Sequence, residues 1–278
     1  MSKKTQCKVW EYRESRFDTA TVNAIREVPL TIVLNGREVV TLLCTGKHPR
    51  HLALGFLKSD AFVQHLDEVL DVDVVDHGDR QVARVEVHGD PWAGRVLSRS
   101  VTSGCGKGTN FERNVATVSR RRLGEDLSLR VAPAEILRLV AELHDRSTLY
   151  RATRGCHNAS LCGPEGMLLF REDIGRHNAI DMIVGHCFER GEPMGDKFIV
   201  STGRVASEIL LKVVRMGIPM LVSTAVATSF SVNLARRTGV TLVGNAGSGS
   251  FWVYNDPGRI QGFDLAVAPE KEMVSIHE

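Results

Sequence analysis

Apolar and polar residues alternate near the start of the chain in a pattern that predicts β-strands. Two β-rich runs, residues 28–34 and 37–44, flank Asn35-Gly36. Asn-Gly is the strongest short signal for a hairpin, because both turn residues must adopt a positive φ. The preceding residues, 1 to about 25, are polar and mixed, and we expect them to form a poorly tied arm.

The same part of the chain contains one predicted helix and two more predicted strands. Pro49 suits the first turn of a helix that runs to about residue 59. Residues 69–75 and 82–87 alternate between apolar and polar, as half-buried strands do. The front third of the chain is therefore predicted to be β-rich.

Beyond residue 132 the pattern changes to strands that alternate with helices. The predicted helices begin at residue 133 and cover residues 176–190, 207–216 and 229–237, and the predicted strands cover residues 166–170, 197–201, 219–223, 240–243 and 251–254. This alternation predicts an α/β layer with a largely parallel sheet. Ligands of such sheets favour the carboxyl ends of the strands.

Small polar residues and arginines follow several of these strands, and they predict an anion-binding rim, with phosphate as the favoured anion. The strand-end candidates are Asp173, Arg176, His177, Thr202, Arg204, Ser223, Thr224 and residues 244–250. A structural alternative stays open for two of them. His177 and Asp181, like Arg204 and Glu208, are four residues apart and could pair along a helix face.

Composition and charge narrow the possible functions. The 278 residues are 43% hydrophobic and 24% charged, with a net charge of +2, which is typical of a soluble globular protein and gives no support for nucleic-acid binding. The N-terminal residues lack an apolar signal core, and no apolar run is long enough to span a membrane. The six cysteines are scattered and lack the spacing of a zinc site. Together with the missing signal core, this scatter leads us to expect a cytoplasmic protein with reduced thiols.

One short segment combines features of a reactive thiol. Residues 102–109 contain three glycines, Cys105 and Lys107. Glycines allow unusual backbone turns, and a nearby ammonium favours the thiolate form of cysteine. The segment therefore predicts a nucleophilic Cys105, and a flexible loop with an incidental cysteine is the alternative.

Taken together, the motifs resemble those of the FdhD/NarQ family of formate dehydrogenase accessory sulfurtransferases, in collinear order over roughly residues 25–262. The motifs are Glu27-Val28-Pro29, Asn35-Gly36, Leu54-Gly55-Phe56, residues 102–109, Gly155, His157, residues 172–181, residues 241–244 and Val253-Tyr254. The most specific of them is Glu-Asp-Ile-Gly-Arg-His-Asn-Ala, which starts at Glu172.

The resemblance implies that Cys105 accepts sulfur from a cysteine desulfurase as a persulfide. The acceptor would be the molybdenum (or tungsten) bis-pterin guanine dinucleotide cofactor, bound as substrate, and the client would be the catalytic subunit of formate dehydrogenase. The loop that binds this cofactor in the family matches Asn245, Ala246, Gly247, Ser248, Gly249 and Ser250. The resemblance also implies a C-terminal half similar to cytidine deaminase without its zinc, and a homodimer.

Two positions depart from the family pattern. The family often has Cys-Gly-x-Cys-Gly, whereas Gly108 occupies the second cysteine position here, and Ser250 stands where relatives often have arginine. The expected organisation is an arm (1–24), a β-rich domain with the Cys105 segment (25–125) and an α/β domain (126–278). A chaperone that delivers the cofactor without moving sulfur, and a nucleotide-modifying enzyme, remain as alternative functions.

Overall fold

The structure, a computed structural model, describes residues 4–93, 118, 122–123 and 126–263. The predicted nucleophile Cys105 and the rest of residues 102–109 lie outside these ranges. The division of the chain at residues 24 and 125 therefore remains a prediction. The mixed α/β class that the sequence predicts is confirmed.

The N-terminal residues, expected to form a poorly tied arm, form a largely exposed β-hairpin, a regular element that the sequence interpretation did not predict. Strand β1 (Lys4–Arg13) pairs antiparallel with β2 (Arg16–Ile25) along its whole length. The turn residues Glu14 and Ser15 both have positive φ, which closes a tight two-residue connection. β-branched and aromatic residues alternate on both strands and favour this pairing over an irregular arm.

The next part of the chain is a four-stranded sheet with one helix, as predicted. Strands β3 (Val28–Leu34) and β4 (Arg37–Cys44) form the Asn-Gly hairpin, and helix α1 (Pro49–Ser59) follows. Strands β5 (Val69–Asp76) and β6 (Gln81–Val87) complete a sheet of order β4-β3-β6-β5, in which β3 and β6 are parallel. Alternate residues of β3 are buried, which gives this sheet one apolar face.

The rest of the described chain builds a six-stranded sheet of order β12-β11-β10-β9-β7-β8 with helices around it. Its elements are α2 (Pro133–Arg146), α3 (Thr148–Thr153), β7 (His157–Gly163), β8 (Gly166–Asp173), α4 (Arg176–Arg190), β9 (Phe198–Ser201), α5 (Ser207–Arg215), β10 (Met220–Ser223), α6 (Ser229–Thr238), β11 (Thr241–Gly247) and β12 (Ser250–Asn255). The sequence pattern predicted all of these except α3 and β7.

The expectation of a largely parallel sheet is wrong. Only the β9–β10 and β10–β11 pairs are parallel, whereas β7–β8, β7–β9 and β11–β12 are antiparallel. The physical reason lies in the connections. Strands β7 and β8, like β11 and β12, are joined by two-residue turns, and such short turns permit antiparallel pairing alone.

Helix α4 joins the two halves of the molecule through a very close crossing with α1. A Cβ atom on Gly55 would lie 1.7 Å from the carbonyl oxygen of Asp181, and one on Gly185 would lie 1.8 Å from that of His51. The two main chains are therefore in contact, which glycine alone permits. Helix α4 also contributes to two cores, because Ile183 packs in the core of the larger sheet and Met182 in that of the smaller sheet.

Candidate functional site

A cavity of about 390 Å³ opens at the edge of the larger sheet where β8, β9 and β10 end and β7 begins. This is the edge at which the sequence predicts ligand binding. Its lining residues are His144, Tyr150, Arg154, Gly155, Cys156, His157, Asn158, Ile174, Thr202 and Thr224. The volume is in the range of small-molecule and cofactor sites.

Backbone and side-chain hydrogen bonds fix the edge of the sheet at the cavity. The Thr202 amide donates to the carbonyl oxygen of Asn158 (3.0 Å), and the Asn158 amide donates to Thr202 Oγ1 (3.0 Å). The same hydroxyl lies 3.4 Å from His157 Nδ1. Thr202 Oγ1 has one hydrogen and two lone pairs, so after accepting from the amide it can donate to His157 Nδ1 or accept from it, and the contact fits both tautomers of the imidazole.

Arg176 lies next to the cavity and places a positive charge there. Its stem crosses directly over Gly203, where a Cβ atom would lie 2.8 Å from the Cβ of Arg176. The Nε atom of Arg176 is buried and has no hydrogen-bond partner among the residues that the structure describes. Burial and the neighbouring Arg176 lower the pKa of His157, so this imidazole is neutral at pH 7.

His177 is also held neutral and does not pair with Asp181. Burial, followed by the charge of Lys212 and then that of Arg176, lowers the pKa of His177 to about 3. Asp181 instead accepts hydrogen bonds from Lys212 Nζ (2.8 and 2.7 Å) and from Ser59 Oγ (2.8 Å). The helix-face alternative for His177 and Asp181 is therefore wrong.

Asp173 is fully buried and connects the two halves of the molecule. Its Oδ2 accepts from the amide (2.8 Å) and the hydroxyl (2.9 Å) of Thr45. Its Oδ1 accepts from the Gly175 amide (3.0 Å) and from Asn178 Nδ2 (2.7 Å). Gly175 is the N-cap of α4 and no side chain caps it, so Asp173 does not act as the cap. Its contacts in the structure are structural, and its role toward a cofactor stays a prediction.

The predicted cofactor loop is shorter than the sequence pattern suggests. Residues 245–247 belong to the end of β11, and Ser248 and Gly249 form the turn with φ values of 49° and 81° before β12 begins at Ser250. The turn projects at the same edge as the cavity, since β11 runs parallel to β10, but none of its residues lines that cavity. Ala246 is buried, whereas Asn245 and residues 248–250 are exposed. The assignment of this loop to cofactor binding stays a prediction.

Arg204 follows β9 and is exposed. It is not part of the cavity wall, and no ion pair joins it to Glu208 among the described residues. Like Arg176 and His177, it stands near the strand ends where the sequence placed it, and its contact with a ligand stays a prediction.

Several cavity residues were missed by the sequence interpretation. Tyr150 and Arg154 come from the short helix α3 and from the residue that ends it, and the guanidinium of Arg154 lies 5.5 Å from the centre of the Tyr150 ring. Asn158 lies on the unpredicted strand β7. The sequence does contain one signal for this part of the wall. A polar run starts at Arg154 and directly precedes residues 157–163, which pair with β8.

Two features are absent from the residues that the structure describes. No group of three or more histidine, cysteine, aspartate or glutamate side chains in them is arranged to hold a metal ion. None of their helices combines the length and the apolar character that crossing a membrane requires.

The chain matches known proteins over almost all of its length. The family model described as FdhD/NarQ matches residues 25–261. A protein named sulfur carrier protein FdhD from Bacillus subtilis is 34% identical over 256 residues, covering 91% of this chain and 96% of the relative. A protein of the same name from Geobacillus kaustophilus is 37% identical over 253 residues, covering 90% and 94%.

A solved structure shares the fold. The crystal structure of a candidate formate dehydrogenase accessory protein from Desulfotalea psychrophila superimposes with a TM-score of 0.76 at 23% identity, covering 93% of this chain and all of that one. The strand-edge cavity thus lies within a fold that a solved structure also adopts. Because the family model spans residues 25–261 and the relatives are similar along their full lengths, the chain belongs to the FdhD/NarQ family.

Proposed function

We propose that this protein carries sulfur for the maturation of formate dehydrogenase. Cys105 accepts sulfur from a cysteine desulfurase as a persulfide, and the acceptor is the molybdenum bis-pterin guanine dinucleotide cofactor. The names of the relatives support the sulfur-carrier part of the proposal. The observation that carries the acceptor part is the strand-edge cavity beside the carboxyl ends of the parallel strands β9 and β10, with the neutral imidazole of His157 in its wall and Arg176 next to it.

The loading step requires a nucleophilic thiolate. The Cys105 thiolate attacks the outer sulfur of the desulfurase persulfide, a new S–S bond forms on Cys105, and the S–S bond of the donor breaks. The donor cysteine leaves as a thiolate, so no net oxidation or reduction takes place. The ammonium of the nearby Lys107 favours the attacking thiolate.

The delivery step consumes two electrons, because sulfane sulfur leaves a persulfide as sulfide. A second thiol provides them by attacking the inner sulfur of the persulfide and forming a disulfide with Cys105. Gly108 occupies the position at which relatives often have a second cysteine. The second thiol therefore comes from outside this motif, either from elsewhere in the protein or from a small-molecule thiol.

Residues in the cavity wall and directly beside it suit the phosphorylated ends of the cofactor. The guanidinium groups of Arg154 and Arg176 provide planar, charged donors for phosphate oxygens. The imidazole of His157, whose pKa is lowered by burial and by the charge of Arg176, lies beside them as a neutral group. These residues would bind and orient the dinucleotide, and the metal centre would supply the site at which sulfur is accepted.

The proposal is tested by intact mass spectrometry after incubation with a cysteine desulfurase and cysteine. We expect a mass gain of one sulfur atom that a reductant removes and that is absent in Cys105→Ala. Cys7→Ala is the matched control, because Cys7 is a partly exposed thiol on the N-terminal hairpin, and it should retain the gain. The same gain in Cys105→Ala would refute the role of Cys105.

The alternative function, a chaperone that binds the cofactor without moving sulfur, is favoured by Gly108 alone. It predicts binding of a guanine nucleotide with no sulfur gained under conditions in which the desulfurase is active. The mass experiment combined with a nucleotide-binding measurement distinguishes the two functions.

A further inference from the structure

One cysteine lies at the cavity and outside the three apolar cores of the described residues. Cys156 directly precedes β7, lines the strand-edge cavity and is 6% exposed. The side chains of β7 alternate between the two faces of the sheet, and Asn158 faces the junction of α2 and α3, where its amide contacts Ser147. Continued to the residue before the strand, this alternation places Cys156 on the same side as Asn158. His144 and Tyr150 line the cavity from that side.

The other described cysteines are unsuited to chemistry in the cavity. Cys44, Cys162 and Cys187 each pack in one of the three apolar cores. Burial raises the pKa of their thiols to about 12, about 12 and about 11, so they are protonated at neutral pH. Cys7 lies on the exposed N-terminal hairpin and does not line the cavity. Cys156 is therefore the described thiol that is placed to react there.

The surroundings of Cys156 favour a reactive thiolate. Arg154, two residues earlier in the chain, lines the same cavity, and Arg176 lies next to it. A cation near a thiol stabilises the thiolate, which is the nucleophile in thiol–disulfide exchange. The described residues of the cavity wall include no carboxylate, which would have the opposite effect.

The delivery step needs a second thiol at the place where sulfur is released. Under the proposed function the Cys105 persulfide meets its acceptor at the cavity, so the second thiol must be available there. Gly108 occupies the motif position at which relatives often have this thiol. A thiol in the cavity wall meets the requirement, whereas a thiol in an apolar core does not.

We propose that Cys156 is a catalytic residue whose thiolate attacks the inner sulfur of the Cys105 persulfide in the delivery step. A disulfide forms between the two cysteines, the S–S bond of the persulfide breaks, and the outer sulfur leaves as hydrosulfide with the electron pair of that bond and its own proton. The two cysteine sulfurs together lose two electrons, which the sulfane sulfur gains. An external dithiol then reduces the disulfide. The inference rests on the proposed function and identifies the second thiol that its delivery step requires.

The inference is tested by a single turnover of the full-length protein without any added thiol. The protein is loaded by a cysteine desulfurase and cysteine and separated from both, and the released sulfide is followed with time. Wild type should release about one sulfide per loaded chain and become lighter than the unloaded protein by two hydrogen atoms, as disulfide formation requires. Peptide mapping without reduction should locate the disulfide between Cys105 and Cys156.

Cys156→Ser keeps the size of the side chain and removes the nucleophile. It should load as wild type does, retain the persulfide and release sulfide at least about tenfold more slowly. Cys7→Ala is the matched control, because it removes a partly exposed thiol that does not line the cavity, and it should release sulfide as wild type does. The wild-type rate should not depend on protein concentration, since both cysteines belong to the same molecule.

Three results would overturn the inference. One is release at the same rate in Cys156→Ser, and another is a disulfide that maps to a different pair of cysteines. The third is a persulfide that stays on wild-type Cys105 until a small-molecule thiol is added. Mapping of the wild-type disulfide keeps the test valid if Cys156→Ser does not fold.

Inorganic polysulfide, used in place of the desulfurase, separates failure of the inference from failure of the proposed function. If the desulfurase transfers no sulfur but Cys105 loaded with polysulfide forms the disulfide with Cys156, the carrier function is wrong and the pairing of the two thiols stands. If Cys105 gains sulfur from the desulfurase and Cys156→Ser releases it as wild type does, the carrier function stands and the inference is wrong.

Discussion

The α1–α4 junction and the strand-edge cavity use similar polar side chains in opposite ways. At the junction, both oxygens of Asp173 and both oxygens of Asp181 accept hydrogen bonds from protein donors. At the cavity, Arg176 Nε and Asn158 Oδ1 are buried without partners among the described residues. The junction also contains two such atoms, His51 Nδ1 and His186 Nδ1, so the contrast rests on its two carboxylates and not on all of its polar groups. Since a buried charged group is costly when unpaired, the complete pairing of these carboxylates indicates a structural connection.

The largest loss in the free energy of unfolding should come from disrupting the α1–α4 junction at its main-chain contact. Gly185→Ala would place a methyl group 1.8 Å from the His51 carbonyl oxygen, and neither backbone can yield without separating the helices. We expect a loss of about 4 kcal/mol or more in the free energy of unfolding, or no soluble protein. Urea denaturation followed by circular dichroism measures it.

Gly195→Ala is the control for that substitution. A Cβ atom there meets only the Gly217 carbonyl oxygen, at an ordinary distance of 3.8 Å. It should leave the free energy of unfolding within about 1 kcal/mol of wild type. Equal stability of the two variants would show that the helices are not in main-chain contact.

The next largest effect should come from the buried ion pair. Lys212→Met leaves the Asp181 carboxylate buried without its charged partner, and we expect a loss of about 3–5 kcal/mol in the free energy of unfolding. The double variant Lys212→Met/Asp181→Leu should recover part of this loss, because it leaves no unpaired charge. A loss below about 1 kcal/mol in the single variant would contradict the assignment of this pair to the structural side of the comparison.

A moderate effect should appear in the pH dependence of stability. His177 is neutral in the folded protein down to a pKa of about 3, whereas in the unfolded chain it takes up a proton near pH 6.5. The unfolded state therefore binds one more proton between these values, and the free energy of unfolding falls by up to about 1.4 kcal/mol per pH unit as the pH decreases.

His177→Gln removes this contribution. Its stability should decline less steeply than that of wild type between pH 6.5 and pH 4.5, as measured by urea denaturation at a series of pH values. Parallel profiles for the two proteins would show that His177 is protonated in the folded state or is readily exposed.

The smallest effect on stability should come from the cavity. Gly203→Ala places a methyl group 2.8 Å from the Cβ of Arg176, an atom that moves only with the main chain at the start of α4. We expect a loss of about 1–2 kcal/mol in the free energy of unfolding and a several-fold weaker affinity for GDP. Gly195→Ala, which precedes β9 at the end of the strand away from the cavity, is again the control and should bind as wild type does. Unchanged affinity for GDP in Gly203→Ala would show that Arg176 does not contact the phosphates.

Elements governed by neighbours in sequence were predicted well. The hairpin around Asn35-Gly36 and the helix that starts at Pro49 have the predicted bounds, because turn chemistry and helix starts act over a few residues. The strand-end positions of Arg176 and Thr202 were also predicted, since the order of strands and helices fixes them. The cavity wall was thus located in part from sequence.

Features that depend on distant contacts were not predicted. Strand β7 has weak strand propensity and is stabilised by pairing on both sides with β8 and β9. The orphaned oxygen of Asn158 depends on a hydrogen bond to Ser147, eleven residues earlier in the chain. The contact between Gly55 and Gly185 joins residues far apart in sequence, and no local pattern encodes it.

The close crossing of α1 and α4 also has a consequence for how the protein melts. Because the main chains of the two helices are in contact, neither sheet can unfold without exposing buried surface of the other half. The described halves should therefore unfold as one cooperative unit, with equal calorimetric and van't Hoff enthalpies in a thermal scan. A fragment that contains only one half would expose the helix, α1 or α4, that packs against the other half. Truncation between the halves should therefore yield unstable protein.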